Sequence, residues 1–148
     1  MNSQLKVNEA MTKDPETLPS ESTTFDAIQN SSMVCFGYML VADRGKLKGI
    51  VTERDILYRV VVKERDPKTT KLKHVMSKPV ISIEEDSELL EASELMKKNA
   101  IRRLAVVNKK GKLVGVITSE DIARSLRRSA EELAVAYHIM SRAAPNEQ

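Results

Sequence analysis

Gly49-Ile50-Val51-Thr52-Glu53-Arg54-Asp55 and Gly115-Val116-Ile117-Thr118-Ser119-Glu120-Asp121 are one phrase written twice, 66 positions apart. In both, a glycine and an apolar pair end an extended run, a threonine follows, and an acid stands three residues later. This is how a strand hands over to a helix, because a hydroxyl residue with an acid at the third position beyond it forms a capping box. Working outward, the rest of the chain repeats as well. From Lys6 to Ala27 the halves align at an offset of 65: Lys6 with Lys71, Met11 with Met76, Lys13 with Lys78, Ser22 with Ser87 and Ala27 with Ala92. Beyond one inserted residue the offset is 66, matching Val41 with Val107, Gly45 with Gly111, Leu47 with Leu113 and Ile56 with Ile122.

Each copy reads β-α-β-β-α, an α+β fold. A short extended piece (Thr17 to Leu18; Val80 to Ile83) precedes a helix predicted over Thr24 to Ser32 and Ser87 to Asn99. In the second of these, Leu89, Leu90, Ala92, Leu95 and Met96 are expected to share one face at helical spacing. Paired apolar runs follow, Tyr38 to Val41 with Leu47 to Val51 and Leu104 to Val107 with Leu113 to Ile117. The turns Asp43-Arg-Gly45 and Asn108-Lys-Lys-Gly111 make each pair a hairpin. Closing helices are predicted from Thr52 to Glu64, stopped by Asp66-Pro67, and from Thr118 to Arg128. Residues 1–66 then form a first repeat, 67–71 a linker, 72–128 a second repeat, and 129–148 a C-terminal helix and tail. A three-stranded sheet with two helices leaves one apolar sheet face uncovered, so the copies are expected to pack sheet to sheet about a pseudo-twofold axis.

The 148 residues are 41% apolar, enough for a core, and carry 24 basic against 21 acidic side chains for a net charge of +3. With no basic block, 3% aromatics and no Trp, nucleic-acid binding is disfavoured. The single cysteine, Cys35, gives no support to secretion, and the polar start and lack of a long apolar run predict a cytoplasmic protein that neither enters nor spans a membrane. Cys35 lies in the apolar stretch Met33 to Phe36 and is expected to be buried. Met33, Met39, Met76 and Met96 are expected as core filler. His74 and His138 have no companions at ligand spacing, so no metal is expected. No phosphate loop or nucleophile elbow is present, and no residue is a catalytic candidate. Ser129-Ala-Glu-Glu132 offers a fresh capping box, followed by Leu133, Ala136, Tyr137 and Met140 on one face.

The Thr-x-x-Asp phrase has two readings. As structure, Thr caps the helix and Asp favours its positive end. As chemistry, a helix N-terminus with a hydroxyl suits a phosphate, a carboxylate accepts ribose hydroxyls, and the glycine lets a ligand approach the backbone. The two are compatible.

These motifs resemble the CBS (cystathionine-beta-synthase-like) family and its tandem, the Bateman module. Leu104-Ala-Val-Val-Asn-Lys-Lys-Gly-Lys-Leu-Val-Gly-Val-Ile-Thr-Ser-Glu-Asp121-Ile122 nearly spells the family pattern, with Ala105 where proline is usual. The resemblance covers about residues 6 to 125. It implies a non-catalytic regulatory module without a resident cofactor, binding AMP, ADP, ATP, NAD(H) or S-adenosylmethionine between its repeats. Thr52 and Thr118 would face ribose or phosphate, Asp55 and Asp121 would hold ribose hydroxyls, and adenine would sit against the first strands around Glu16 to Leu18 and Ile81 to Ile83.

Ile101-Arg102-Arg103-Leu104 resembles the basic strand entry that contacts phosphate in energy-sensing members of the family, a role that suits the arginine fork. The stretch read as equivalent, Cys35-Phe36-Gly37-Tyr38, has no cation. Arg54 partly compensates there, and Glu120 stands at the matching place in the second copy. The expectation is one stronger site around Thr118, Asp121, Arg102 and Arg103 and a second around Thr52 and Asp55. The resemblance also implies a homodimer built through helical faces and signalling in trans to an effector protein that the sequence does not name. A ligand-free adaptor dimer, with the phrases serving only as caps, is the alternative.

Overall fold

The strand-to-helix phrase folds as its capping box dictates in both copies: β4 (Lys46–Thr52) runs into α4 (Glu53–Ile56), and β7 (Leu113–Thr118) into α6 (Ser119–Ala143). The computed structural model describes residues 5–143. The chain opens with α1 (Val7–Ala10) and β1 (Thr12–Lys13). The first copy continues through β2 (Thr17–Leu18), α2 (Thr24–Gln29), α3 (Ser31–Phe36) and β3 (Tyr38–Asp43). The second copy supplies β5 (Ser82–Glu84), α5 (Leu89–Asn99) and β6 (Arg103–Val107). One sheet has the order β2-β3-β4 and the other β1-β7-β6-β5, with parallel β2/β3 and β5/β6 pairs and antiparallel hairpins β3/β4 and β6/β7.

Strand alternation gives each sheet two apolar faces. Met39, Val41 and Val51 pack under the helices of the first copy, and Leu104, Val106 and Ile117 under those of the second. The intervening residues Leu40, Ala105 and Val116 are also buried and turn toward the other sheet. The mixed fold of two sheets with helices expected from the sequence is therefore present.

The two copies are interlocked. Residues ahead of β1 pack into the second copy's core, where Val7 is buried against Leu89, Ala92 and Ile117, while Leu72 and Val75 fill the first copy's core. The bonds that anchor this exchange come in twofold-related pairs, although Asp14 N–H to Val114 O at 3.1 Å has no mate because Pro79 stands at the matching place. Val7 N–H donates to Ser87 O and Leu72 N–H to Ser22 O, both at 2.8 Å; Leu89 N–H donates to Leu5 O at 3.0 Å and Thr24 N–H to Thr70 O at 2.8 Å. Thr12 pairs with Val116 as Ser77 pairs with Ile50, and the hairpin tips meet where Lys46 bridges its own repeat mate, Lys112. Glu21 pins the crossing segment from outside through Lys71 and Lys73, whose hydrogen bonds hold its carboxyl down at about 2.

The glycines of the phrase serve this exchange. A Cβ on Gly49 would stand 2.6 Å from the Met76 sulfur, and one on Gly115 would stand 2.5 Å from the Met11 sulfur and 2.8 Å from the Thr12 carbonyl oxygen. The close approach expected for a ligand is thus occupied by a methionine of the crossing segment.

Several elements differ from expectation. Cross-strand register equates Val41, opposite Gly49, with Val106, opposite Gly115, so the offset is still 65 in β3 and β6. The inserted residue lies in the hairpin turn. The first long helix breaks at Asn30, extended in backbone, whose side chain accepts from Ser32 N–H and starts α3, as a short polar side chain competing for backbone donors does. Cys35 is exposed, because it lies two residues, about 200° of helix, from the inward-facing Met33. The helix after Thr52 widens into a π-type turn at Leu57–Val61, within a run of β-branched valines. Ser129 caps nothing: α6 runs unbroken to Ala143, since no Gly or Pro interrupts a sequence rich in Arg, Ala, Glu and Leu. Its stripe stays exposed rather than closing over the pair, with Leu133 and Met140 facing solvent. Residues 144–148 of the expected tail lie outside the described residues.

The glycine contacts predict an asymmetry. Gly115→Ala meets backbone that cannot yield and should cost about 1–3 kcal/mol, whereas Gly49→Ala meets only a flexible methionine and should cost less. Urea unfolding of the two variants measures the difference; equal costs would deny the backbone contact its role.

Candidate functional site

Both capping boxes are complete. Thr52 Oγ1 accepts from Asp55 N–H at 3.2 Å and Asp55 Oδ2 from Thr52 N–H at 3.0 Å; the Thr118–Asp121 distances are 3.1 and 2.9 Å. In each box the threonine acts as acceptor, which leaves its own O–H free to donate. Both threonines line clefts where the sheets meet, and each cleft takes its helix start from one copy and its opposite wall from the other.

The Thr52 cleft, 470 Å³, is floored by Leu40 and Ile50 and walled by Ile81, Arg102 and Arg103. The Thr118 cleft, 540 Å³, is lined by Asp121, Glu120 and Arg124 on one side and by Asp14, Glu16 and Tyr38 on the other. Both volumes suit a small organic ligand. They are twofold mates, with Ile81 at the place of Glu16 and Arg103 at the place of Tyr38. Their charges are opposed: two arginines and no acid line the first, while four carboxylates face the single cation Arg124 in the second. Arg124 is further tied to Asp121 Oδ1 at 3.1 Å.

The residues singled out from sequence are thus divided. Thr52, Ile81, Arg102 and Arg103 line one cleft, and Thr118, Asp121 and Glu16 the other. Arg103 stands opposite Thr118 in the β6/β7 register, yet its guanidinium lies over the Tyr38 ring, 4.5 Å from the centroid. Arg54 lines neither cleft and stacks 5.5 Å over Tyr58. Asp55 is buried behind its cleft, with Oδ1 accepting from Ser77 Oγ at 3.0 Å and ion-paired with Arg59 Nη1 at 3.8 Å. Glu16 accepts from Ser31 Oγ at 3.1 Å.

Tyr38, missed in the sequence, lines both clefts. Burial pushes its phenol above the usual tyrosine range, against the opposing pull of the Arg103 charge. The signal that could have found it was its equivalence to Arg103, hidden when the inserted residue was placed before β3.

The profile of the CBS domain matches residues 7–62 and 72–128, one match for each copy. The chain belongs to the CBS domain family. Among its relatives, inosine-5'-monophosphate dehydrogenase of Methanocaldococcus jannaschii is 38% identical over 120 residues, covering 80% of this chain and 23% of that enzyme. The CBS domain-containing protein YhcV of Bacillus subtilis is 33% identical over 117 residues, covering 79% and 82%. The CBS domain protein PAE2072 from Pyrobaculum aerophilum, solved in complex with AMP, superposes with a TM-score of 0.70 at 28% identity over 79% of this chain and 89% of that one. The chain spans 43%, 23% and 54% of the length of the first three curated relatives it matches. CBS-pair architecture and the two-cleft geometry described here are thus found together.

The two aspartates of the CBS motifs differ in what they hold. Asp55→Ala should lose its cap, about 1 kcal/mol, and also strand the Ser77 hydroxyl, about 1–2 kcal/mol more. Asp121→Ala should lose the cap and an exposed ion pair of about 0–1 kcal/mol. Chemical denaturation without ligand should therefore rank Asp55→Ala as the more damaging; the reverse order would deny the Ser77–Asp55 hydrogen bond its role.

Proposed function

We propose that this chain is a non-catalytic regulatory module that binds an adenosine-containing ligand in the clefts between its CBS repeats and signals to a partner protein in trans. The observation that carries the reading is the Thr52 cleft: an apolar slot of Leu40, Ile50 and Ile81, fit for a purine, ends at a helix-capping threonine and two arginines. A guanidinium fork binds phosphate in two directions at once, and the threonine O–H adds a donor beside the helix N-terminus. The AMP complex of the Pyrobaculum protein supports the ligand class. AMP, ADP and ATP fit the arginine-lined cleft best. The acidic Thr118 cleft suits the hydroxyls of a nucleoside or the positive sulfonium of S-adenosylmethionine, and the redox dinucleotide NAD(H) presents two phosphates to the arginines.

A ligand that binds only the folded chain at 100 times its Kd stabilises it by about 2.7 kcal/mol. A thermal-melt panel of AMP, ADP, ATP, NADH and S-adenosylmethionine should therefore raise the melting temperature with at least one phosphorylated compound, and Arg102→Gln with Thr52→Ala should remove that rise. Absence of any shift across the panel would favour the adaptor reading, in which the phrases only cap helices.

The exposed apolar side chains also support a homodimer. Leu57, Tyr58, Val61 and Val62 on the first copy and Leu126, Leu133, Tyr137 and Met140 along α6 are each at least half exposed. Stripes of this kind at 3–4 spacing bury against another helical surface. Sedimentation equilibrium should return twice the 16.6 kDa chain mass, and Leu133→Glu with Tyr137→Ser should return a single chain; a monomer in the unmodified protein would remove the dimer.

A further inference from the structure

Tyr38 and Arg103 occupy twofold-related positions, the first residues of β3 and β6, and they meet across the axis. The Arg103 guanidinium carbon lies 4.5 Å from the centre of the Tyr38 ring. A pair of like residues at these two positions would present the same side chain on both sides of the axis; here one side contributes the cation and the other the ring that holds it. Among the described residues Arg103 donates no side-chain hydrogen bond and joins no ion pair within 4.0 Å. A cation–π contact draws on the guanidinium charge over the ring face, and it leaves in-plane N–H groups free to donate. Arg103 also lines the Thr52 cleft beside Arg102, so those donors border the volume a phosphate would fill.

The geometry points to Tyr38 as the positioning residue that selects for phosphate in the Thr52 cleft: its ring holds Arg103 pre-formed, so that a phosphorylated ligand binds without first ordering a long side chain. This rests on the proposed adenosine-ligand reading and deepens it. Immobilising a rotamer-rich side chain is one of the ordinary costs of binding, and the stack removes that cost before the ligand arrives. The effect acts only on what Arg103 touches. Adenosine, which lacks the phosphate, should be indifferent to it.

The experiment is calorimetric titration of AMP and of adenosine into the full chain and its variants. Tyr38→Leu removes the ring face and should lower the ratio of AMP to adenosine affinity about 3- to 10-fold, as expected for losing a contact of this type; because Tyr38 also lines the cleft, that ratio reads the effect where either affinity alone would not. Tyr38→Phe keeps the ring and should behave as the unmodified protein, and Arg103→Gln should bring AMP down to the level of adenosine. A second measurement needs no variant: in proton NMR the Arg103 side-chain protons should carry a ring-current offset that persists when AMP is added. If Tyr38→Leu leaves the ratio of AMP to adenosine affinity unchanged, or if AMP abolishes the ring-current offset, the positioning role is overturned and the ligand reading stands. If neither compound binds the unmodified chain, both fall together.

Discussion

The structure depends on the crossing of two short segments, each made by one half of the chain and buried in the other. Val7 and its neighbours complete the second core, and Leu72 and Val75 complete the first. Neither half closes its core without the other. The crossing also fixes the geometry of the pair, because Met11 lies in the space left by Gly115 and Met76 in that left by Gly49. These are tight contacts within β4 and β7, where packing tolerates little displacement. The pseudo-twofold axis is therefore set by side-chain fit as well as by the meeting of two apolar sheet faces.

That axis decides how the clefts are built. A helix start from one copy faces the first-strand entry of the other, so anything lodged in a cleft touches both copies. On one backbone, a few substitutions produce two chemistries. Arg103 stands where the other cleft has Tyr38, Ile81 where it has Glu16, and Pro79 where it has Asp14. An arginine pair against an apolar wall and a ring of carboxylates are opposite environments for a phosphate. The repeated backbone offers two related clefts, and their lining side chains make them different.

Much of this was legible in the sequence because the signals were local. The capping phrase, the turn glycines Gly45 and Gly111 and the alternating apolar strands each report a backbone requirement that does not depend on distant residues. Placement of the inserted residue was not legible, since Val41 matches Val106 or Val107 equally well and only cross-strand register separates them. That one-residue slip paired Arg103 with Gly37 in place of Tyr38, and so concealed the contact between the clefts. The exposure of Cys35 was lost for a related reason: an apolar stretch shows hydrophobic content, while the break at Asn30 sets which side of α3 faces inward. The role of Gly49 and Gly115 was half visible, because a methionine repeats at the matching offset, yet nothing in a linear reading brings Met76 to Gly49.

The two readings of the Thr-x-x-Asp phrase describe different atoms of the same residues. Capping uses the threonine oxygen as an acceptor and one carboxylate oxygen, and it leaves the threonine proton and the second carboxylate oxygen undecided. In the first copy Ser77 takes that second oxygen and Asp55 does not line the cleft, whose remaining polar groups include Thr52, Arg102 and Arg103. In the second copy Asp121 remains on the cleft surface with Arg124 alone beside it. Of the two clefts, only that of Thr118 is lined by its capping carboxylate, and only that of Thr52 carries paired arginines. The same motif thus stands in different chemical settings in its two copies, and one thing that separates them is the partner that satisfies the spare oxygen of the capping aspartate.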